Sequence, residues 1–297
     1  MKKNKKTILV IGGAGFIGSN LIEKLVKDKN QKIISLDNYF TGSKKNHIAG
    51  VDYRQGHSKN IHKLISEKID TIYHLGEYSR VAASLDEPDL VWDLNIAGTF
   101  SVLEFWREQK CKLIYAGSST KFNPAGDNGI EGRDLAPYTW MKAANSELVK
   151  NYGNWYNLKY SIVYFYNVYG PGERAGQFNG QYGTVIETFK QAYLNGEACQ
   201  VRRPGTQTRA FTHVDDTVDA IILVGKKGKN DEYGICASQT YSLIDVAKMF
   251  GCKIKMLAKT KTSRSSKNFS SAKIKKMGWK QKHTLRQYIK EIKEANQ

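Results

Sequence analysis

Cysteine, proline and long apolar runs are scarce in this chain of 297 residues. It holds four cysteines, none in C-x-x-C spacing, and five prolines. These features argue against a disulfide framework and a structural zinc site. No apolar run reaches the roughly 18 residues that cross a bilayer, and the lysine-rich start has no signal-peptide core after it. We therefore expect a cytoplasmic protein without a bound metal or a membrane partner.

Acidic residues are also few, since 28 Asp and Glu stand against 46 Lys and Arg, a net charge of +18. Such a balance is typical of proteins that bind nucleic acid or anionic membranes. Here the excess is mostly lysine spread along the chain, without zinc-finger spacing or an RNA-binding aromatic signature. We interpret it as solvated surface lysine, which would also favour a phosphate-bearing substrate, and we expect no nucleic acid partner.

Strand and helix patterns alternate through the first 165 residues. Apolar runs predict strands over 8–11, 32–36, 51–53, 71–75, 112–116 and 160–165, and helical spacing predicts helices over 16–26, 60–68, 90–109 and 138–149. Alternation of this kind predicts βαβ units, hence an α/β fold with a doubly wound parallel sheet, a Rossmann domain.

The second half predicts helices over 185–194 and 217–224, the latter capped by Asp215 and Asp216, and a strand over 209–214. We expect residues 1–167, with a returning segment at about 205–234, to form the Rossmann domain. Residues 168–204 and 235–297 would form a smaller C-terminal α/β lobe.

The stretch TILVIGGAGFIG, residues 7–18, joins the first predicted strand to the first helix through a glycine-rich turn. Glycines at such a turn let backbone N–H groups approach a pyrophosphate and let the helix pack close to the strand. The helix N-terminus also favours phosphate. The pattern alone is equally typical of an ordinary turn. Its glycines fit G-x-G-x-x-G and G-x-x-G-x-x-G spacing: Gly12, Gly13, Gly15 and Gly18.

An acidic residue in the right place supports the nucleotide interpretation. Asp37 ends the second predicted strand, 19 residues after Gly18. A carboxylate there accepts a hydrogen bond from a ribose 2′-hydroxyl and repels a 2′-phosphate. We therefore predict NAD, not NADP, as the cofactor.

Tyr138 and Lys142 are four residues apart on the helix that follows Pro137, so they share a face. A free tyrosine is almost wholly protonated at neutral pH. A nearby lysine cation and an oxidised nicotinamide would favour its phenolate, which is a usable base. The hydroxyl of Ser119, at a strand end, could hydrogen-bond the same substrate oxygen. An exposed Tyr–Lys pair is common, but one that follows a nucleotide-binding pattern indicates a catalytic site.

Nine motifs occur in a fixed order between Thr7 and Trp279: GGAGFIG, LDN, YHLG, NIAGT, SST, YTWMK, FYNVYGPGE, RAFTHVDD and MGW. Together they resemble the extended short-chain dehydrogenase/reductases, specifically the NAD-dependent nucleotide-sugar epimerase/dehydratase branch that includes UDP-glucose 4-epimerase. The resemblance implies a nucleotide-sugar substrate held by the C-terminal lobe. It also implies a homodimer that pairs helices 90–109 and 138–149 in a four-helix bundle, with contributions from Trp92, Phe100, Trp140 and Met141.

The resemblance also assigns roles to residues of this chain. Tyr138 would be the base, Lys142 would hold the nicotinamide ribose, and Ser119 would complete the catalytic triad. The implied cofactor-binding residues, besides Tyr138 and Lys142, are Gly12, Gly15, Phe16, Ile17, Gly18, Asp37, Asn38, Leu75 and Gly76. The predicted substrate-binding residues are Glu77, Ser119, Thr120, Asn167, Arg209 and Arg264, of which the resemblance places Asn167, Arg209 and Arg264 at the diphosphate.

Two departures from the family pattern bear on the reaction. The 4,6-dehydratases carry Thr-Asp-Glu after the fifth strand, whereas this chain has Ser119, Thr120 and Lys121, so it lacks the acid pair for elimination of water. Glu77 stands where small residues are common, and a buried carboxylate there needs a partner, for which Arg80 is a candidate.

We therefore expect an NAD-dependent nucleotide-sugar 4-epimerase that oxidises C4 transiently and reduces the 4-keto sugar again. A UDP-hexose or UDP-N-acetylhexosamine is the simplest substrate. The alternatives are a dehydratase or 4-dehydrogenase of the same family, or a non-catalytic NAD-binding or RNA-associated protein.

Overall fold

The computed structural model describes residues 5–123, 129–173, 183–259 and 270–296. The strands are β1 (Lys6–Ile11), β2 (Gln31–Asp37), β3 (Asp52–Gln55), β4 (Thr71–His74), β5 (Lys112–Ser118), β6 (Lys159–Phe165), β7 (Val168–Tyr169), β8 (Cys199–Arg202), β9 (Thr208–Ala210), β10 (Thr212–His213), β11 (Glu232–Ile235), β12 (Thr240–Ser242) and β13 (Ile254–Leu257). The α-helices are α1 (Phe16–Leu25), α2 (Ile61–Leu64), α3 (Pro88–Val91), α4 (Gly98–Gln109), α5 (Pro137–Trp155), α6 (Val185–Leu194), α7 (Val214–Lys227), α8 (Leu243–Phe250), α9 (Ala272–Lys276) and α10 (Leu285–Glu294).

Seven of these strands form one sheet in the order β11-β6-β5-β4-β1-β2-β3, and every neighbouring pair is parallel. Alternate side chains of β1 face opposite layers of the core. Leu9 and Ile11 pack with residues of α4 and α5, whereas Ile8 and Val10 pack with residues of α1 and α7. A strand buried on both faces reads as a continuous apolar run, as β1 does. The predicted doubly wound Rossmann sheet is confirmed.

The helices predicted over 60–68 and 90–109 differ from those in the structure. The helix predicted over 60–68 ends at Leu64, as α2, because Ile65 takes an extended backbone. Ile61, Ile65 and Ile69 are nonetheless buried in the same core. The helix predicted over 90–109 begins earlier, as α3, and continues through a π-helical segment, Trp92–Ala97, into α4.

The predicted start of α7 is wrong by three residues. His213 is the N-cap, and its Nδ1 accepts a hydrogen bond from the backbone N–H of Asp215 at 3.2 Å. Asp215 and Asp216 lie in the first turn, where carboxylates favour the positive end of the helix dipole. The helix therefore begins at Val214, because an imidazole takes the capping role predicted for the two carboxylates.

The C-terminal half contributes to two cores. Strand β11 returns to the edge of the main sheet beside β6, and α7 packs on that sheet. Strands β9 and β12, and β8 and β13, form separate two-stranded sheets, and a further core links α6, α8 and α10. The division into two domains stays a prediction. Within the described ranges, no helix combines the length and the apolar content that a membrane crossing requires.

Candidate active site

A cavity of about 690 Å³ opens beyond the carboxyl ends of the parallel strands. Ile11, Leu36 and His74 lie side by side in register near the ends of β1, β2 and β4, so the loops after these strands meet at one edge. Ligands of open α/β sheets bind at such an edge. Every predicted site residue within the described ranges lines this cavity. Arg264, the exception, lies outside those ranges.

The glycine loop permits a very close approach of backbone to backbone. Gly12 has φ of +81°, and a Cβ there would lie 2.6 Å from the Cα of Gly76. A Cβ on Gly18 would lie 2.1 Å from the carbonyl oxygen of Gly12. Helix α1 begins after Gly15, which makes no side-chain cap, so the N–H groups of its first turn are left for a ligand. These residues therefore fit a bound pyrophosphate.

Asp37, the last residue of β2, is buried and holds two backbone segments together. Its Oδ2 accepts a hydrogen bond from Ala14 N–H at 2.9 Å and its Oδ1 accepts one from Tyr39 N–H at 2.8 Å. Burial raises the pKa of Asp37, and these two hydrogen bonds oppose the rise. Each oxygen of a carboxylate can accept a second hydrogen bond. The carboxylate thus has acceptor capacity for a ribose, and that role stays a prediction.

Tyr138 and Lys142 occupy the first two turns of α5, on the face that lines the cavity. Tyr138 packs in a small apolar cluster that includes Tyr78, Leu94 and Met141. Its backbone N–H donates to Ser84 Oγ at 3.3 Å, which holds the start of the helix in place. Met141 is therefore part of this chain's own core, and the predicted dimer contact of its side chain is wrong.

The end of β5 brings two serines to the cavity. Ser119 begins a 3-10 turn, Ser119–Phe122, whereas Ser118 is the last strand residue. The Oγ of Ser118 accepts a hydrogen bond from Thr120 N–H at 3.3 Å and lies 2.9 Å from Thr120 Oγ1. Sequence reasoning passed over Ser118, although the Ser-Ser pair in the sequence offers both hydroxyls.

Lys142 is buried and ion-paired with Glu77. Its Nζ also donates to the carbonyl oxygen of Ala116 and to the hydroxyl of Tyr115, the latter at 3.1 Å. An ammonium group has three N–H donors, and these three acceptors account for all of them. The predicted contact of Lys142 with a ribose would therefore require one of these partners to share or release it.

The carboxylate of Glu77 is buried among donors from three elements. Its Oε1 accepts from Thr99 Oγ1 at 2.6 Å and from Asn145 Nδ2 at 2.8 Å, and the Tyr115 hydroxyl lies 2.9 Å from its Oε2. The suggestion that Arg80 is its partner is wrong, because Lys142 pairs with it instead. Thr99, Tyr115 and Asn145 were missed, although Asn145 follows Lys142 at helical i, i+3 spacing.

Ionisation within this cluster follows from burial and from the ion pair. Burial alone disfavours the carboxylate of Glu77, but Lys142, His74 and Thr99 outweigh it, and the pKa of Glu77 is lowered. Burial lowers the pKa of His74 to about 4. Burial, and then the charge of Glu77, raise the pKa of Tyr115 well above its ordinary value. At neutral pH, Glu77 is therefore an anion, and His74 and Tyr115 are neutral.

The proposed diphosphate side of the cavity contains further polar groups. Asn167 has φ of +38°, and its Nδ2 donates to the carbonyl oxygen of Ala210 at 2.8 Å, so it joins β9 to the end of β6. Arg209 is in β9. Arg202 and Glu173, which sequence reasoning did not assign to the site, also line the cavity. Burial raises the pKa of Glu173 to about 7.

His57, in the loop after β3, is engaged within the chain. It is the N-cap of a 3-10 helix, Ser58–Asn60, and accepts a hydrogen bond from Lys59 N–H at 3.0 Å. Its Nε2 lies 3.0 Å from a carboxylate oxygen of Asp93. The ring therefore ties the loop after β3 to the π-helical segment.

Comparison with known proteins gives consistent matches. The model of the NAD dependent epimerase/dehydratase family matches residues 8–236. UDP-glucuronic acid decarboxylase 3 of Arabidopsis thaliana is 27% identical over 94% of this chain and 86% of its own. UDP-N-acetyl-alpha-D-glucosaminuronate decarboxylase of Bacillus cytotoxicus is 30% identical over 77% of this chain and 74% of its own.

A solved structure also shares the fold. UDP-glucose 4-epimerase of Thermotoga maritima, solved with UDP-glucose, superposes with a TM-score of 0.85 at 24% identity. The match covers 96% of this chain and 96% of that chain. At this level of identity the likeness establishes the fold and leaves the reaction open.

Proposed function

The chain belongs to the NAD-dependent epimerase/dehydratase family, and on that premise we propose that it is a nucleotide-sugar 4-epimerase with NAD as its cofactor. One observation carries the proposal. A single cavity unites the glycine loop with Tyr138 and Lys142, while the segment directly after β5, Ser119–Lys121, has no acidic residue for elimination. The Nζ of Lys121 donates a hydrogen bond to Oε1 of Glu232 in β11 at 2.7 Å, so its ammonium group is engaged at the sheet edge.

Each proposed step uses a group that lines the cavity. The phenolate of Tyr138 accepts the proton of the sugar 4-hydroxyl, and a serine hydroxyl donates a hydrogen bond to the same oxygen. Bound NAD would accept the hydride from C4 and return it to the opposite face of the 4-keto sugar, which inverts C4 without net oxidation. Tyr138 returns its proton to the 4-oxygen.

Binding of the nucleotide sugar is assigned to polar residues in and around β9 that line the same cavity. Asn167 and Arg209 are the proposed diphosphate contacts, together with Arg264, which lies outside the described residues. Arg202 adds a further cation to the same cavity. Cationic and amide donors of this kind suit the phosphates of a UDP-hexose or UDP-N-acetylhexosamine.

The deciding experiment offers the purified protein a panel of UDP-, GDP-, CDP- and dTDP-sugars and follows the products by NMR. The expected product is the C4 epimer of one or more substrates, without accumulation of NADH. A 4-keto-6-deoxy sugar would establish a dehydratase, and stoichiometric NADH would establish a net 4-dehydrogenase. Turnover of none, with salt-sensitive RNA binding, would support the non-catalytic alternative.

A second candidate is oxidation at C4 followed by loss of a carboxylate from the sugar. It is supported by the two relatives above that are named decarboxylases. The same panel tests it when UDP-glucuronic acid is included. Release of carbon dioxide with a UDP-pentose product would favour decarboxylation over epimerisation.

The two serines at the end of β5 allow a matched test of the hydroxyl role. We expect Ser119→Ala to lower kcat by roughly 10²-fold, because it removes a donor to the developing oxyanion. Ser118→Ala should lower kcat by a smaller factor, because the Ser118 hydroxyl already contacts Thr120. Steady-state kinetics on both variants check this, and a larger loss in Ser118→Ala would transfer the role to Ser118.

We further propose a cytoplasmic homodimer. The four cysteines are free, which suits a reducing compartment. Trp92, Phe100 and Trp140 are about half exposed on the neighbouring segment 92–109 and helix α5, and large exposed apolar side chains mark contact surfaces. Light scattering of the wild type and of a Trp140→Glu variant tests the assembly, with a monomer expected only for the variant.

A further inference from the structure

Glu77 introduces a full negative charge beside the proposed catalytic lysine. It lies three residues after the end of β4, and its carboxylate meets the ammonium group of Lys142 in a pair that is almost wholly shielded from solvent. Thr99 of α4, Tyr115 of β5 and Asn145 of α5 complete its hydrogen bonds. A carboxylate so fully satisfied is held ionised and fixed in position.

The same contacts fix the ammonium group. Lys142 donates to Glu77, to the carbonyl oxygen of Ala116 and to the Tyr115 hydroxyl. Because three acceptors converge from β5 and the loop after β4, the long lysine side chain has one defined position. That position is four residues, or about one helical turn, from Tyr138 on the same face of α5.

The charges around this pair cancel. The titratable groups that face it are His74 of β4, Tyr115 of β5, and Lys142 and Tyr138 of α5; α4 contributes the neutral Thr99. His74 and Tyr115 are neutral at physiological pH, for the reasons given above. One buried cation therefore faces one buried anion. The attraction that Lys142 exerts on a Tyr138 phenolate is opposed by the repulsion from Glu77.

We propose that Glu77 is a positioning residue that fixes the ammonium group of Lys142 and offsets its charge, and so sets the pH range in which Tyr138 acts as the base. The inference rests on the proposed function, because it takes Tyr138 as the base. A small residue at position 77 would neither fix the ammonium group of Lys142 nor offset its charge.

Two variants separate charge from hydrogen bonding. Glu77→Gln removes the charge and keeps the shape and an acceptor for Lys142. Tyr115→Phe removes one hydrogen-bond partner of both Glu77 and Lys142 and keeps the charges. Each is paired with the same variant in a Tyr138→Phe background, so that the difference spectrum of the two isolates the ionisation of Tyr138 from the other tyrosines.

The measurement is an ultraviolet titration of the tyrosinate band, carried out on the NAD-loaded protein without substrate. We expect Glu77→Gln to lower the midpoint for Tyr138 by about one pH unit, which gives about tenfold more phenolate at a fixed pH below the midpoint. The acidic limb of kcat/KM should move in the same direction. Tyr115→Phe should leave both close to the wild-type position.

Several results would overturn the proposal. These are an unchanged midpoint in Glu77→Gln, a midpoint that moves to higher pH, or an equal shift in Tyr115→Phe. If Glu77→Gln does not fold, Glu77→Asp replaces it; its retracted carboxylate should lower the midpoint by a smaller amount, and no change would count against the offset. Because the titration requires no turnover, a protein without epimerase activity but with these shifts would contradict the proposed function alone.

Discussion

The glycine loop, residues 12–18, depends on the absence of side chains at its glycines, whereas Lys142 and Glu77 are held in place by other side chains. A Cβ on Gly18 would lie 2.1 Å from the Gly12 carbonyl oxygen, so position 18 tolerates nothing larger than hydrogen. The Lys142–Glu77 pair instead depends on Thr99, Tyr115 and Asn145, each of which contributes a specific polar atom. The difference teaches that backbone shape defines the proposed cofactor-binding part of the cavity (the cofactor end), whereas a buried ion pair defines the proposed catalytic part (the reaction end).

The most severe test of this contrast removes the proposed base and leaves both ends otherwise intact. Tyr138→Phe should lower kcat by roughly 10²- to 10⁴-fold, the range for loss of a general base. NAD affinity, measured by calorimetry, should stay close to that of the wild type, since the glycine loop is untouched. Retained turnover would remove Tyr138 as the base and leave the reaction end without a catalytic assignment.

Breaking the buried ion pair tests whether paired charge holds the reaction end together. Lys142→Met should lower the free energy of unfolding by about 3–5 kcal/mol at neutral pH, because it leaves the Glu77 carboxylate buried without a counter-charge. Urea unfolding measures the loss. Lys142→Met combined with Glu77→Leu should recover most of it, and a double variant no more stable than the single one would contradict the pairing argument.

The pH dependence of that loss has a defined sign. Because the pKa of Glu77 is lowered in the folded protein, its pairing stabilises the fold above the ordinary carboxyl range and ceases to do so as the pH falls through the lowered value. In Lys142→Met, the unpaired Glu77 takes up a proton more readily. The stability gap between wild type and variant should therefore narrow in acid, and a gap that widens there would be inconsistent with this assignment.

Two alanine substitutions sharpen the contrast at the cofactor end. Gly18→Ala should destabilise the fold by about 1–3 kcal/mol, since backbone atoms must move to admit the Cβ. Gly15→Ala is its matched control, because a Cβ there would lie 3.3 Å from the Gly12 carbonyl oxygen. We expect thermal unfolding to distinguish them, with Gly15→Ala near wild type in stability. Equal destabilisation would show that the close approach at Gly18 is not the cause.

The smallest expected effect concerns cofactor choice. Asp37→Ala should weaken NAD binding by about tenfold and reduce discrimination against NADP, because it removes the acceptor and the charge that repels a 2′-phosphate. Titration with both nucleotides measures the ratio of affinities. The carboxylate also holds Ala14 and Tyr39, so Asp37→Asn is the control that preserves part of these contacts. An unchanged NAD/NADP ratio would refute the ribose assignment.

How far the sequence could predict these features depends on how local each one is. The glycine turn, β1 and β2 follow from short stretches of chain, and the structure has them where they were expected. The prediction of a helix over 60–68 was wrong beyond Leu64, because burial of Ile65 and Ile69 is compatible with an extended backbone as well as a helical one. The predicted cap of α7 was wrong because the His213 ring accepts the capping hydrogen bond in place of the carboxylate that capping patterns favour.

The sequence by itself determined the parallel Rossmann sheet, the glycine turn and the family, because buried strands and tight turns impose patterns over a few neighbouring residues. Only the tertiary structure decided that Lys142 meets Glu77, since the two are 65 residues apart and other cations were equally available to the carboxylate. The pairing depends on where α5 lies against β5 and on which donors are shielded from water together. Composition and spacing do not indicate which side chains form this pair, whereas the packing of α5 against β5 determines it.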